Sequence, residues 1–489
     1  MRALDESSTA EGPDGQRLKK VASGIGGLDE ICGGGLPAGR TTLVIGGPGA
    51  GKTLLATAFL VQGARKDDEP GVLVSFDEAG SDLEINTSSL GWDLVDLQQR
   101  KLLAVEHVQV DRQQIVEAGE YDLEGLFIRL AYAVDSVKAR RVVLDSIDTL
   151  FANVPNEAVL RAELRRLFSW LKDHGLSAIV TSERGGASLS RHGVEEYVSD
   201  CVILLDSRVY DEIATRRLRV VKYRGSAHGS NEYPFLIEET GITVLPVTSL
   251  GLVHMAPDRR VSSGNAGLDA MLSANGPEGA SGLFQKSSVL ISGGPGAGKT
   301  SFAAQFAAAA CARGEKCLYF TFEESQSQLV RNMRSIATDL APHIEAGLLE
   351  VHAVRPTLRG LEAHLASMLH LVNTTKPDAV VIDPLSALGA SGTLIQSRMM
   401  VLRLIDYIKS AGATALYTMV GQGDQSVALD VSTLMDTWIA LENVRREDDL
   451  ERRIHVVKSR GMPHSADVRE FTIGRHGLAI RKRAQRHDR

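Results

Sequence analysis

The sequence predicts an α/β chain of two similar tandem domains, each built on a doubly wound, mostly parallel sheet. Two observations carry that prediction. The run GGPGAGKT occurs twice, at Gly46 to Thr53 and at Gly293 to Thr300, each time after an apolar run and before an Ala/Leu-rich helical stretch. Other segments recur around it in the same order. Ser23-Gly-Ile-Gly-Gly-Leu-Asp29 returns as Ser263-Gly-Asn-Ala-Gly-Leu-Asp269, and Arg141-Val-Val-Leu-Asp145 as Ala379-Val-Val-Ile-Asp383. Val220-Val-Lys222-Tyr-Arg224-Gly225 returns as Val456-Val-Lys458-Ser-Arg460-Gly461. A chain of 489 residues would ordinarily divide into about three domains, but the repeat makes it two. The expected division is a polar tail over 1–18, a first domain over 19–248, a linker over 249–260, a second domain over 261–480 and a basic tail over 481–489.

Within the first domain, short apolar runs place strands at Thr41 to Ile45, Val72 to Phe76, Val142 to Asp145 and Ala178 to Thr181, with an amphipathic helix at Leu160 to His174. Cys201 to Asp206 and Leu218 to Tyr223 read as further strands that need no crossover helix. The second domain repeats the plan, with Leu394 to Ser410 as its clearest helix. A doubly wound sheet gathers ligands beyond the carboxyl ends of its strands.

Both octapeptides satisfy the phosphate-loop pattern G-x-x-x-x-G-K-[ST]. Glycines let backbone N–H groups turn toward an anion, and the following helix adds the positive end of its dipole. The candidate ATP contacts are therefore Gly47, Gly49, Ala50, Gly51, Lys52, Thr53 and Leu54, and Gly294, Gly296, Ala297, Gly298, Lys299, Thr300 and Ser301. The lysines reach the β- and γ-phosphates, and the threonine hydroxyls hold Mg2+. Asp145 and Asp383 end β-branched runs and are candidate Mg2+ holders beside Thr53 and Thr300; a turn-capping Asp is the plain alternative. Asp77-Glu78 and Glu323-Glu324 end the strand after the phosphate-loop helix, where a carboxylate can orient or deprotonate a nucleophile. Adjacent strand residues point oppositely, so at most one of each pair faces the phosphate.

The late basic segments supply Lys222, Tyr223, Arg224, Ser226 and His228 in one half and Lys458, Arg460 and His464 in the other. Such an edge is usually solvated, but in a ring of these domains it can reach a neighbour's nucleotide as an arginine finger does.

Composition narrows the partners. Hydrophobic residues at 43% can fill two cores, and the net charge of −7 argues against a surface made for nucleic acid. The apolar stretch Phe302 to Cys311 is too short to span a bilayer, and the polar first twenty residues argue against a signal peptide. Cys32, Cys201, Cys311 and Cys317 show no C-x-x-C spacing and read as buried thiols in a reducing compartment.

The order of these motifs resembles the KaiC family of tandem RecA-like P-loop ATPases, the circadian-clock ATPases. The likeness runs from Ser23 to Ile480 and is closest at Gly33-Gly-Gly-Leu-Pro37, Val194-Glu-Glu-Tyr-Val-Ser-Asp200, Asn231-Glu-Tyr-Pro-Phe235, Ser386-Ala-Leu388 and Arg469-Glu-Phe471. It implies a cytoplasmic homohexamer of two stacked rings with ATP between subunits. The N-terminal ring would be a slow ATPase and a docking surface for a KaiB-like protein, and the C-terminal ring an autokinase and autophosphatase. Ser432 and Thr433 match the family's phosphoacceptor pair, with Glu323 as their base; without the resemblance, a Ser-Thr dipeptide before a strand is turn chemistry. A histidine kinase or another signalling protein is a further partner it admits.

The chain departs from the pattern at several positions. Asp77 stands for a Glu, which favours Glu78 as the base of that half. Pro384 replaces a small polar residue, Gly389 an interface Arg, and Val427 a Thr. The sequence ends soon after Ile480, so control by KaiA is not expected. Two other classes stand beside this reading: a recombinase or helicase motor, which the acidic charge disfavours, and a nonkinase ATPase switch in which Ser432 and Thr433 are inert.

Overall fold

The computed structural model describes residues 18–108, 123–151, 157–185, 189–191, 193, 195–210, 213–238, 241–246, 257–273, 281–355, 360–390, 394–421, 431, 433–446 and 449–481. Apart from Leu18 and Arg481, the expected terminal tails lie outside them, as does most of the linker. The chain divides into two compact units that change over near residue 250.

Each unit holds a nine-stranded sheet. Across the N-terminal sheet the order is Gly241–Val244, Tyr233–Glu238, Ile213–Tyr223, Cys201–Tyr210, Thr41–Gly46, Ser177–Glu183, Arg141–Asp145, Gly71–Ser75 and Leu103–His107. Across the C-terminal sheet it is Gly477–Ile480, Arg469–Gly474, Asp449–Ser459, Thr437–Arg446, Ser288–Gly293, Thr414–Val420, Ala379–Asp383, Cys317–Thr321 and Leu349–Ala353. The two orders correspond strand for strand, so the sequence repeat is a repeat of topology.

The six strands from Cys201–Tyr210 to Leu103–His107 run parallel. Their near-continuous apolar sequences follow from burial on both faces. Leu43, Ile45, Val72, Val74, Val142 and Leu144 enter one core, while the alternate residues Val44, Leu73 and Val143 enter the other. The helix Glu157–Asp173 seals one face with Leu160, Leu164, Leu167, Phe168 and Leu171, the spacing of a single helical stripe.

The strands and helices expected from the sequence are present with ends displaced by a few residues, and Leu394–Ser410 coincides with its expected helix. One reading needs correction. Ile213–Tyr223 does leave the parallel block without a crossover helix, but Cys201–Tyr210 is parallel to Thr41–Gly46 and lies on its other side from Ser177–Glu183. The chain must therefore cross over the central strand, and among the described residues of that crossing the helix Glu195–Val198 has only 4 residues. A link this short carries no sustained helical period, which is why the sequence hid it.

All four cysteines are buried and free. Phe302 to Cys311 lies in the helix Lys299–Ala312, and among the described residues no helix is long and apolar enough to cross a membrane.

Candidate nucleotide-binding sites

The phosphate loops connect the central strand of each sheet to a long helix, Lys52–Lys66 in one unit and Lys299–Ala312 in the other. The glycine requirement has two distinct causes. Gly51 and Gly298 both have φ of 97°, and a Cβ there would lie 2.9 Å from Ile237 Cδ1 or 2.7 Å from Ile473 Cδ1. Gly49 and Gly296, both at φ 70°, face open space instead, as does Gly47. The first pair lets the strand-to-helix corner pack; the second leaves the loop backbone accessible to a ligand. Neither helix start has a side-chain cap, so its first N–H groups are free to serve an anion. Ala50, Ala297 and Ser301 are buried beneath the loops, and Leu54 is half-buried.

Lys52 Nζ donates to the carbonyls of Gly46 and Gly47 at 2.9 and 3.1 Å, and Lys299 Nζ to those of Gly293 and Gly294 at 2.9 and 2.8 Å. Burial lowers the Lys299 ammonium below the ordinary lysine value, opposed by Asp383 and Glu323.

The two strand-end aspartates are held differently. Asp145 accepts from Thr181 Oγ1 at 2.6 Å on Oδ1 and from Thr53 Oγ1 at 2.9 Å on Oδ2. Burial pushes its carboxyl above the ordinary range, with the two hydroxyls and Lys52 pulling the other way. Asp383 accepts from Thr418 on Oδ1, matching Thr181, but its Oδ2 accepts from the Tyr319 hydroxyl at 2.8 Å rather than from Thr300. In the N-terminal unit the hydroxyl–carboxylate pair Thr53–Asp145 has the donor set of a Mg2+ site, which fits that ion.

Of the paired carboxylates, Asp77 is exposed and accepts from Thr149 Oγ1, while Glu78 is half-buried and accepts from Asn86 at 3.2 Å. Glu323 is exposed; Glu324 turns inward, accepts from Asn332 at 3.2 Å, and keeps a buried Oε2 without a hydrogen-bond partner. The helix that follows differs between units. Gln326–Arg334 begins with a reciprocal capping box between Ser325 and Gln328, whereas Gly80–Ser88 begins at Ala79 without a side-chain cap.

The late basic residues hold backbone carbonyls, in the N-terminal unit those of the short helix Glu195–Val198. Lys222 Nζ donates to the Glu196 carbonyl at 2.7 Å and Arg224 to the Tyr197 carbonyl at 2.8 Å. In the C-terminal unit Arg460 donates to the Thr433 carbonyl, the same contact one repeat later. Burial, with the neighbouring arginine, lowers both Lys222 and Lys458. Thr433 is exposed, and Ser432 lies outside the described residues. Tyr223 is buried and its hydroxyl donates to the Gly35 carbonyl at 2.8 Å; Ser226 accepts from Lys20 at 2.7 Å. The His228 and His464 rings each lie near the carbonyl two residues before them, at 3.5 and 3.3 Å. Each unit thus gathers its own phosphate loop, aspartate and carboxylate pair at one end of its sheet.

The sequence model of the KaiC ATPase family matches residues 21–249 and again 261–485. The chain belongs to the KaiC family. It is 48% identical to the circadian clock protein KaiC2 of Synechocystis sp. over 95% of this chain and 81% of that one. It is 36% identical to KaiC3 of the same organism, over 95% and 92% of the two chains. It is also 36% identical to the circadian clock oscillator protein KaiC of Synechococcus elongatus, over 98% and 92%. Both halves of this KaiC-family chain are accordingly ATPase domains, and nucleotide binding goes with them.

Sequence reasoning missed the residue that separates the two KaiC-type sites. Tyr319 sits mid-strand, paired with Val381, where the first repeat has Leu73 paired with Val143. Aligning the repeats would have exposed a hydroxyl mid-strand where the first repeat has a leucine. Arg141 was also missed as an anchor: its side chain is 1% exposed and donates to Asp67 and Glu69, both at 2.7 Å, and to the Phe59 carbonyl at 2.9 Å.

Proposed function

We propose that this chain is a cytoplasmic, Mg2+-dependent ATP hydrolase and serine/threonine autokinase with autophosphatase activity, working as a double-ring homohexamer whose C-terminal ring carries the kinase. One observation supports the kinase assignment above the others. The short helix whose carbonyls Lys222 and Arg224 hold presents Glu196 and Tyr197, whereas the turn held by Arg460 at the corresponding place presents the exposed Thr433. In sequence, Glu196-Tyr197 of the first repeat corresponds to Ser432-Thr433 of the second.

In this mechanism the loop from Gly294 to Gly298 and Lys299 bind the β- and γ-phosphates of ATP, and Thr300 with Asp383 would hold Mg2+. That ion, when bound, neutralises charge on the phosphate oxygens. Glu323 takes the proton of a Ser432 or Thr433 hydroxyl from the adjacent subunit. The hydroxyl oxygen then bonds to the γ-phosphorus as the bond to the β-phosphate oxygen breaks, and ADP leaves. In the N-terminal ring Glu78 directs water, since Asp77 is engaged by Thr149. A KaiB-like protein is the expected partner of that ring, and a histidine kinase or other signalling protein a further one.

Phosphopeptide mass spectrometry after incubation with ATP tests the kinase. Glu323→Gln should leave hexamers formed but slow transfer by roughly 10²- to 10⁴-fold. Mixed hexamers of Glu323→Gln with a Ser432→Ala/Thr433→Ala protein should carry label on the Glu323→Gln chains. Label that never appears after confirmed subunit exchange would refute transfer between subunits to these acceptors.

A further inference from the structure

The two halves share a topology, a phosphate loop and a strand-end aspartate, yet the donor on one oxygen of that aspartate differs between them. Thr181 and Thr418 occupy the same place on Asp145 and Asp383. The second oxygen of Asp145 goes to Thr53, the hydroxyl at the start of the phosphate-loop helix. The second oxygen of Asp383 goes to Tyr319, which is completely buried in the neighbouring strand. Leu73, the counterpart of Tyr319, has no hydroxyl to offer.

We infer that Tyr319 is a positioning residue that withholds Asp383 Oδ2 from the Thr300 side, so that the C-terminal site takes a divalent cation more weakly than the N-terminal site. This rests on the assignment of Thr300 and Asp383 to Mg2+ made above. Two physical effects act together. A hydroxyl donor removes electron density from the carboxylate oxygen that would otherwise face the ion, and it fixes the carboxylate's rotation toward the sheet interior. Thr300, lacking the bond that Thr53 makes, is not oriented by its aspartate. In the N-terminal unit the Thr53 hydroxyl already donates to Asp145, which leaves its oxygen lone pairs for a cation. Tyr319 is not placed in contact with nucleotide or ion; it acts through Asp383.

The full chain saturated with a non-hydrolysable ATP analogue, titrated with Mn2+ while free Mn2+ is read by electron paramagnetic resonance, tests this directly. The unaltered chain should show two equally populated classes of Mn2+ site. Tyr319→Phe keeps the ring and removes only the hydroxyl, and Tyr319→Leu copies the first repeat. Both should tighten the weaker class by roughly tenfold and leave the tighter class in place: the size is that of an outer-shell change, and the sign is reversed from the usual loss because Oδ2 is released toward Thr300. A single class in the unaltered chain would overturn the inference, as would variants that leave the weaker class unmoved, weaken it, or shift both classes together. An analogue stoichiometry below two per chain would instead overturn the two-site reading on which the inference rests.

Discussion

Replacing Lys299 with Met should separate catalysis from stability. The Nζ donates to the Gly293 and Gly294 carbonyls, but each of those keeps another donor, from Gly421 N at 3.2 Å and from Ala297 N at 3.3 Å. No carbonyl is therefore orphaned by the change. Burial also lowers the Lys299 pKa, which means the folded state disfavours its charge. For a base shifted down, that penalty is fully present below the lowered pKa and is relieved as pH rises from there to the ordinary lysine value. Lys299→Met removes the penalty, so the ligand-free C-terminal unit should unfold at an unchanged or higher temperature. If Lys299 meets the transferring phosphoryl group as proposed above, its loss should nevertheless slow the chemistry by roughly 10²- to 10³-fold. Nucleotide at a hundred times its dissociation constant stabilises a folded unit by about 2.7 kcal/mol; if affinity falls a hundredfold, the gain falls to about 0.4 kcal/mol. Calorimetric scans with and without nucleotide read both quantities. A Lys299→Met protein that is destabilised by more than about 1 kcal/mol without ligand, or that keeps its full nucleotide gain, would refute the reasoning.

Gly51→Ala and Gly298→Ala should each cost about 1–2 kcal/mol from backbone strain at φ 97°, before any cost of moving Ile237 or Ile473, as read by chemical denaturation. Lys52→Ala should weaken ring assembly and basal hydrolysis while Lys299→Ala chiefly abolishes phosphotransfer; native mass spectrometry and radiolabel incorporation would show the division or its absence. Arg141→Met should destabilise the N-terminal unit alone by about 3 kcal/mol, reduced where Asp67 and Glu69 reach solvent, and the C-terminal unfolding transition should not move.

The features that were legible in the sequence are those fixed by local chemistry. The phosphate loops were readable because Gly51 and Gly298 need a backbone conformation that other residues resist, and because Lys and Thr must follow them at fixed spacing. The strands before Asp145 and Asp383 were readable because burial on both faces removes polar residues from the run. The crossing from Ser177–Glu183 to Cys201–Tyr210 was not, since a strand's neighbour across the sheet leaves no mark on its own periodicity. The Tyr319–Asp383 bond was hidden for a related reason: it joins residues 64 apart. The mutual relation of Arg460 and Thr433 likewise depended on the fold returning a late strand to an earlier turn.

The capping difference after the paired carboxylates gives the two units different local clocks of their own. Glu324 runs straight into a helix whose first turn is closed by Ser325 and Gln328, while Glu78 precedes one that opens at an uncapped Ala79. A missing cap is worth about 1 kcal/mol, or roughly a fivefold larger population of the frayed first turn. Amide hydrogens at the start of Gly80–Ser88 should therefore trade with solvent sooner than those of Gln326–Arg334, and Glu78, proposed above to direct water, precedes the helix with the looser first turn.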